Sequence, residues 1–282
     1  YLFGNEGVLF EKEFSKKVNC KYGVAVSNGT VALELALRSL HLNKDDEVLV
    51  TCRSFIASAS SILNVGFKIV FADVDKESHN ISLETINKYI TKNTKVILCV
   101  HFAGLPCDMN EISKYSKKRG IKIIEDCSQA HGAKIGSKSV GSFGDVAAWS
   151  FCQDKIISTG GEGGMVTTNS KKIYNYIWSY KDHGKNKKKY FKKYKNSHFK
   201  YIHEFQGSNY RLTEIQSLLG RIHLRKLNNY CKQRNKIAKY IITKLNKFDI
   251  FSFQNVPNKF THAYYKLYIS INNKALNKKI NN

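Results

Sequence analysis

The first two-thirds of the chain alternate short apolar runs with longer amphipathic segments. Seven runs of four to seven residues, rich in β-branched side chains, have the composition of buried strands, and they span residues 22–26, 47–51, 68–72, 95–101, 122–126, 146–151 and 165–168. Between them, helix-forming residues with an apolar stripe predict helices at 30–37, 56–64, 82–90, 110–119 and 171–181. Strands that alternate with helices indicate an α/β fold, in which helices cover both faces of a mostly parallel sheet.

The last third of the chain follows a different pattern. Residues 185–200 (KNKKKYFKKYKNSHFK) form a basic low-complexity tract, and because like charges repel one another we predict an exposed loop. Residues 213–246 contain no proline and little glycine, which predicts one or two long helices. A final apolar run at 261–269 predicts a strand.

Size and composition narrow the class of protein. A chain of 282 residues that is 42% hydrophobic can bury a substantial core. No apolar run approaches the ~20 residues of a membrane-spanning helix, and the first residues lack the pattern of a signal peptide. Seven cysteines without a CxxC spacing favour reduced thiols over a disulfide framework or a zinc site. We therefore expect a cytoplasmic protein with no metal site and no membrane partner.

The formal net charge of +24 raises the question of a nucleic-acid partner. Lysine and arginine together number 46, but only seven of them are arginine. Nucleic-acid readers depend on arginine for bidentate contacts with bases and phosphates, so this composition argues against nucleic-acid binding. A positive field would instead favour an anionic substrate such as a sugar nucleotide.

Two polar residues stand where a ligand could reach both. Asp126 ends the predicted strand 122–126, and Lys155 follows the strand 146–151 on a turn that leads to the glycine cluster 160–164. Ligands of parallel sheets collect at the carboxyl ends of the strands. Pyridoxal 5′-phosphate (PLP) needs a lysine to hold its aldehyde and an acid against its pyridine nitrogen. A solvated lysine and a loop-capping aspartate are the alternative for each residue alone, but because the two occur together we predict this pair as catalytic residues.

Other residues are candidates for contacts with such a cofactor. Gly29 and Thr30 lie between a strand and a helix, where backbone N–H groups bind phosphate, but the same sequence also makes an ordinary helix cap. Ser150, five residues before the lysine, could add a phosphate contact. Gln129, three residues after the aspartate, could bond the ring hydroxyl, and Phe55 could stack on the ring. For Phe55 a place in the core is an equally compatible interpretation.

Several stretches together resemble the DegT-type family of PLP-dependent nucleotide-sugar aminotransferases. They stand in family order along most of the chain, and they are VAVSNGTVALELAL (24–37), VHFAGLPCDM (100–109), EDCSQAHGA (125–133), VGSFGDVAAWSFCQDKIISTGGEGGMVTT (140–168), WSYKDHGK (178–185) and GSNYRLTEIQSLLGR (207–221). The block from 125 to 168 is the most specific of them.

The resemblance implies the architecture of a fold-type I PLP transferase with Lys155 as the Schiff-base lysine. It places Asp126 opposite the pyridine nitrogen, Gln129 beside the ring hydroxyl and Phe55 on the ring. It assigns the phosphate contacts to Gly29, Thr30, Ser150 and Asn209. The last of these would come from the neighbouring subunit, so the resemblance implies a homodimer with shared active sites.

The resemblance also implies a reaction. An amino group, typically from glutamate, would pass by a ping-pong mechanism to a nucleotide-linked keto sugar, in the biosynthesis of amino sugars and surface polysaccharides. One branch of the family has histidine in place of the lysine and performs dehydration, so a PLP-dependent sugar dehydratase is one alternative. A regulatory or DNA-binding paralogue is another. The chain keeps Lys155, which favours transamination.

Members of this family run longer at the C-terminus, where a smaller α/β domain completes the substrate pocket. We therefore expect a large PLP-binding domain over residues 1–248, which includes the basic tract 185–200. Residues 249–282 would then be the start of an incomplete small domain.

Overall fold

The computed structural model describes residues 4–191 and 202–272. Across these residues the chain forms eight α-helices and twelve strands. The helices are α1 (Asn5–Lys17), α2 (Gly29–Arg38), α3 (Ala57–Asn64), α4 (Leu83–Tyr89), α5 (Met109–Arg119), α6 (Lys171–Tyr180), α7 (Lys187–Phe191) and α8 (Glu214–Leu245). The strands are β1 (Tyr22–Val26), β2 (Glu47–Thr51), β3 (Lys68–Ala72), β4 (Thr94–Val100), β5 (Lys122–Asp126), β6 (Lys134–Ile135), β7 (Lys138–Ser139), β8 (Val146–Ser150), β9 (Gly164–Thr168), β10 (Phe251–Phe253), β11 (Phe260–Thr261) and β12 (Ile269–Ile271).

Seven strands form the central sheet, in the order β1-β9-β8-β5-β4-β2-β3. Strand β9 runs antiparallel to both of its neighbours, β1 and β8, whereas the other neighbouring pairs are parallel. The seven predicted strands and the five helices predicted between them are confirmed, each to within one residue at either end. The mostly parallel α/β sheet is confirmed as well.

Apart from the edge strand β3, where Phe71 is 51% exposed, the strands of the sheet are buried on both faces, which explains their mainly apolar sequences. Val24 and Val26 of β1 belong to a core cluster that contains residues of α2 and α6. Ala25, between them, belongs to a second cluster with residues of α1 and α8. Because successive side chains of a strand point to opposite faces, one helical layer covers each side. None of the described helices combines the length and apolar character needed to cross a membrane.

Helix α1 was not predicted from the sequence, because its stabilising contacts come from the far end of the chain. Its N-cap position is Gly4, which has no side chain to serve as a cap. The carboxylate of Glu214 instead accepts the N–H groups of Gly4 and Gly7, at 2.7 and 2.9 Å. Phe10 and Phe14 are fully buried in the core beneath α1.

Helix α8 is a single helix of 32 residues. Of the one or two long helices predicted over residues 213–246, the structure thus has one. Thr213 begins it with a capping box, in which Thr213 and Gln216 exchange side-chain and backbone hydrogen bonds. The one glycine of the helix, Gly220, packs against the ring of Phe10, and a Cβ at that position would lie only 2.6 Å from the ring. The glycine therefore lets α8 approach α1 closely.

The strand predicted over residues 261–269 is wrong, because the chain turns in this segment. Only Thr261 and Ile269 of the run lie in strands, which are β11 and β12. Ala263 donates its N–H to the Gly104 carbonyl at 2.9 Å, and Tyr264 has a positive φ of 48°. The segment therefore bonds to the loop at Gly104 instead of forming the hydrogen-bond ladder of a sheet. The domain boundary after residue 248 stays a prediction.

The prediction of an exposed loop over 185–200 is wrong for the beginning of the tract. Lys187 begins the short helix α7, and its ammonium donates to the Tyr174 hydroxyl at 2.5 Å. Burial lowers the pKa of Lys187 to about 8. Lys185 pairs with the Asp182 carboxylate at 2.8 Å. Aromatic and acidic neighbours thus hold the first lysines against the fold, and residues 192–200 lie outside the described residues.

Candidate active site

Loops at the carboxyl edge of the parallel strands enclose a cavity of about 880 Å³. Seven of the eight predicted site residues line it, namely Gly29, Thr30, Phe55, Asp126, Gln129, Ser150 and Lys155. They come from the segments that follow β1, β2, β5 and β8, which the fold brings to one edge of the sheet. The convergence of residues that lie far apart in sequence makes this cavity the candidate active site.

Asp126 occupies the floor of this region at the end of the central strand β5, and its side chain is held by two donors. The Ser58 hydroxyl donates to Oδ2 at 2.8 Å, and the Ser128 N–H donates to Oδ1 at 3.1 Å. Ser58 is 1% exposed and also lies 2.6 Å from the Ser54 hydroxyl. The carboxylate is therefore fixed in orientation before any ligand arrives.

Lys155 lies in the loop after β8, with its side chain only 16% exposed. Its ammonium donates to the Asp154 carboxylate at 3.0 and 3.2 Å and to the Tyr265 hydroxyl at 3.2 Å. Burial by itself would lower the pKa of Lys155, but these two partners outweigh it and hold the pKa above its ordinary value. For Asp154 burial acts in the other direction and would raise the pKa, but hydrogen bonds from Tyr265 and Lys155 lower it to about 2.

The N-terminus of α2 forms a cradle at the cavity wall. The Asn28 side chain caps the N–H of Val31 at 2.9 Å. The N–H groups of Gly29 and Thr30 belong to the first turn and therefore have no acceptor inside the helix. A Cβ at Gly29 would lie 2.6 Å from the Cβ of Ser150. Glycine is thus required for α2 to start this close to the end of β8, where the two segments together can surround an anion.

Two further predicted residues differ in how firmly they are held. The amide oxygen of Gln129 accepts the Ala103 N–H at 2.7 Å, so its NH₂ group is the donor left for a ligand. Phe55 is 70% exposed. The interpretation of Phe55 as a core residue is therefore wrong, because the ring stands at the cavity rather than in the interior.

Two residues of the site were missed in the sequence. Ser58 lies on the first turn of α3, and nothing in its local sequence indicates that it faces Asp126 across the sheet edge. Tyr265 lies 110 residues after the lysine that it contacts. The only sequence signal for it is the run of aromatic and polar residues from 262 to 268, which was attributed to a strand.

A buried polar network lies directly behind the site. Glu125, next to Asp126, is completely buried, and its carboxylate accepts N–H groups at 2.7–2.8 Å from Gly141, Phe143 and Gly144. The ring of His101 lies 3.0 Å from the same carboxylate through Nε2. Its Nδ1 accepts the Cys107 N–H at 3.1 Å, so the ring proton is on Nε2 and points at the carboxylate.

Within residues 4–191 and 202–272, this network also contains the group of side chains that is closest to a metal-ligand set. His101, Glu125 and Cys127 hold their ligand atoms within 4.8 Å of one another. Both ring nitrogens of His101 and both oxygens of Glu125 already have hydrogen-bond partners. The group therefore acts as a structural anchor for the 141–144 loop beneath the cavity.

Asn209 is the predicted site residue that lies elsewhere. It is exposed and forms an isolated antiparallel bridge with Asp182. Arg211, two residues later, bonds the Asp182 carboxylate. Among the residues that line the cavity, Asn209 is not present.

Comparison with known proteins connects this cavity to a family of enzymes. The model of the DegT/DnrJ/EryC1/StrS aminotransferase family matches residues 1–281. The GDP-perosamine synthase of Escherichia coli O157:H7 is 39% identical over 235 residues, which are 83% of this chain and 62% of that enzyme.

Two solved structures share the fold. An aminotransferase from Psychrobacter cryohalolentis is 44% identical with a TM-score of 0.93, over 96% of this chain and 71% of that one. The E. coli GDP-4-keto-6-deoxy-D-mannose-3-dehydratase, with bound hydrated PLP, is 25% identical with a TM-score of 0.87, over 99% of this chain and 76% of that one. The chain therefore spans between 62% and 76% of the length of these three relatives.

Proposed function

We propose that this chain, which belongs to the DegT/DnrJ/EryC1/StrS aminotransferase family, is a PLP-dependent aminotransferase that acts on a nucleotide-linked keto sugar. One observation carries the proposal, namely that Lys155 and Asp126 line the same cavity together with the α2 cradle. The family match supports an enzyme rather than the regulatory or DNA-binding protein considered above.

The residues of the cavity fit the chemistry of PLP. When bound, PLP supplies an electron sink that stabilises negative charge on the substrate carbon next to the amino group. Lys155 would hold its aldehyde, and Asp126 would accept a hydrogen bond from its ring nitrogen. The N–H groups of Gly29 and Thr30 and the Ser150 hydroxyl would hold its phosphate, with Gln129 beside the ring hydroxyl and Phe55 against the ring face.

The side chains have separate tasks in the transfer. Asp126, oriented by the Ser58 hydroxyl, would face the ring nitrogen with its carboxylate, which would favour a protonated ring. Lys155, whose side chain lines the cavity, would serve as general base and then as general acid for the proton on the substrate carbon. The net reaction would move the amino group of glutamate to the keto sugar in two half-reactions, with the two substrates using the same cavity in turn.

The substrate class rests on relatives and on charge. The two E. coli relatives have names that specify a GDP-linked sugar, and the +24 charge of this chain favours an anionic nucleotide. We propose a place in the biosynthesis of amino sugars for surface polysaccharides. All seven cysteines are unpaired thiols, which supports a reducing compartment such as the cytoplasm.

We further propose a homodimer in which Asn209 of each chain reaches the phosphate cradle of the other. Asn209 is exposed and outside its own cavity. Ile215, Leu218 and Ile222, at helical spacing on α8, are 63%, 46% and 38% exposed. An exposed apolar stripe of this kind is typical of a subunit interface.

The test of the activity follows the nitrogen atom. The chain, loaded with PLP, is mixed with ¹⁵N-glutamate and then with GDP-4-keto-6-deoxy-D-mannose. We expect 2-oxoglutarate to form, the visible cofactor band to fall, and ¹⁵N to appear in the sugar. Label released as ammonium, with a deoxy sugar as product, would support the dehydratase alternative. Glutamate that leaves the cofactor spectrum unchanged would refute the aminotransferase proposal.

Subunit complementation tests the shared site. Lys155→Ala and Asn209→Ala chains are co-expressed under separate tags, because a mixed dimer would contain one intact site only if these residues come from different subunits. Random pairing would then restore about one quarter of the wild-type activity. If the mixture is no more active than the two variants measured separately, the shared site is refuted.

A further inference from the structure

The amine of Lys155 has a built resting place inside the cavity. Its Nζ lies 3.0 Å from Asp154 Oδ1 and 3.2 Å from the Tyr265 hydroxyl. The same hydroxyl donates to the other oxygen of Asp154. The three groups thus close a ring of hydrogen bonds, in which one carboxylate and one phenol take up a single ammonium.

Two members of this ring, Tyr265 and Lys155, are held by backbone contacts of their own. Tyr265 is 9% exposed, and the guanidinium of Arg234, on α8, donates to its carbonyl at 3.3 Å. Lys266, the next residue, donates its N–H to the Ala103 carbonyl at 3.3 Å. The Lys155 N–H in turn donates to the Cys152 carbonyl at 3.0 Å. The phenol therefore reaches the lysine from a separately anchored segment, rather than by a chance contact of two loops.

The proposed reaction makes a specific demand that this ring could meet. During each half-reaction the lysine is detached from the cofactor, and it must then stay close to the reacting carbon atoms while it carries a proton. A detached lysine left to solvent would lose this position. A fixed carboxylate and hydroxyl would hold the cation within reach, because charge-assisted hydrogen bonds are short and directional.

We propose that Asp154 and Tyr265 are positioning residues that hold the detached Lys155 between its two proton transfers. The lysine amine takes one proton from the substrate carbon, rests as the ammonium against both residues, and returns that proton to the carbon atom of the cofactor that bears the nitrogen. No oxidant and no other reactant is consumed. The inference rests on the proposed function.

Other ionisable groups lie near the same lysine, and their influence on it must be distinguished from that of Asp154 and Tyr265. Asp126 lines the same cavity, and Lys266 adjoins Tyr265. His131 lies buried beneath, where burial and the charge of Lys155 lower the pKa of the ring to about 3. Its ring is therefore neutral near pH 7 and adds no charge there. Asp154 is the carboxylate in direct contact with the ammonium.

The first measurement needs no cofactor. Lysines of the PLP-free chain are reductively methylated with ¹³C-formaldehyde, and the Lys155 signal, assigned by its loss in Lys155→Arg, is titrated by NMR. Removal of an opposite charge at this distance changes a pKa by about 1–3 units, so we expect the pKa of Lys155 to fall by that amount in Asp154→Asn. Tyr265→Phe should lower it less. Asp45→Asn, which breaks the exposed Asp45–Lys68 pair, is the matched control and should leave it unchanged.

The second measurement uses the loaded enzyme in a single turnover with glutamate and with 2-²H-glutamate. Since a general acid–base group contributes roughly 10²–10⁴-fold, loss of its positioning in Asp154→Asn and Tyr265→Phe should slow the half-reaction about 10-fold or more. The deuterium isotope effect should rise, while PLP affinity stays as in the wild type.

The outcomes separate this inference from the proposed function. An unchanged Lys155 pKa in Asp154→Asn would overturn the resting site, whatever the activity. A normal half-reaction rate and isotope effect in both variants would overturn it as well. If the pKa of Lys155 falls as expected in Asp154→Asn but the wild type does not react with glutamate, the resting site is retained and the aminotransferase is refuted.

Discussion

Lys155→Ala should bind PLP without the visible absorbance band of a lysine-linked cofactor, and should transfer amino groups at least about 10³-fold more slowly than the wild type. The substitution removes both the covalent link and the proton carrier, and a single general acid–base group contributes roughly 10²–10⁴-fold. Among the described residues that line the cavity, Lys266 is the other lysine, and its Nζ is 5.4 Å from the centroid of the Tyr265 ring. Absorbance and single-turnover rates measure the two effects separately.

Lys266→Ala is the matched control for this variant, because Lys266 is the other lysine that lines the cavity. It should keep the absorbance band. A band that persists in Lys155→Ala and disappears in Lys266→Ala would transfer the role to Lys266 and contradict the assignment. The circular dichroism of both variants should match that of the wild type.

Glu125→Gln should lower the free energy of unfolding by about 1–3 kcal/mol, the usual cost of leaving a buried hydrogen-bond donor without an acceptor. The carboxylate accepts three backbone N–H groups and the His101 ring proton. In the glutamine variant an NH₂ group would replace one carboxylate oxygen. The N–H groups that this oxygen accepts in the wild type would then be buried without an acceptor. Urea denaturation, followed by fluorescence of the buried Trp149, measures the change.

The pH dependence of the same measurement carries a second signature. Burial opposes ionisation of Glu125, but the hydrogen bond from His101 and those from the surrounding N–H groups outweigh it and hold the pKa below its ordinary value. A lowered carboxyl pKa contributes stability above the unfolded value, here 4.5, and loses it as the pH falls through the folded value. The difference between the wild type and Glu125→Gln should therefore shrink below about pH 4.5.

Glu111→Gln is the control for the stability prediction, because Glu111 is an exposed residue of α5. It should change the unfolding free energy by no more than about 0.5 kcal/mol. If Glu125→Gln is as stable as this control at pH 7, the network behind the cavity is not the anchor described here.

The layers of the fold could be predicted because the inner strands of the sheet are buried on both faces. A strand such as β8 places Ala147 and Trp149 in one cluster and Val146 and Ala148 in the other, so four consecutive positions are apolar and the run stands out. Helix α1 carries no such local signal. Its cap comes from Glu214, more than 200 residues away, and no pattern within residues 5–17 encodes that contact.

The residues of the candidate site could be predicted where they lie at or just after the end of a strand. Asp126 and Lys155 are found in this way, because strand ends meet at one edge of a parallel sheet. Ser58 and Tyr265 were missed for a physical reason. Each contacts a site residue through the packing of a different segment, and in Tyr265 that segment turns at Tyr264 instead of continuing as a strand.

Borohydride reduction of the PLP-loaded chain, followed by peptide mass spectrometry, tests most directly whether this cavity holds the cofactor on Lys155. Reduction makes the link between lysine and cofactor permanent, so the peptide that contains Lys155 should carry the mass of a phosphopyridoxyl group, and the same peptide from Lys155→Ala should not. A phosphopyridoxyl group on a different lysine, or an unmodified Lys155 peptide from fully loaded protein, would contradict the account.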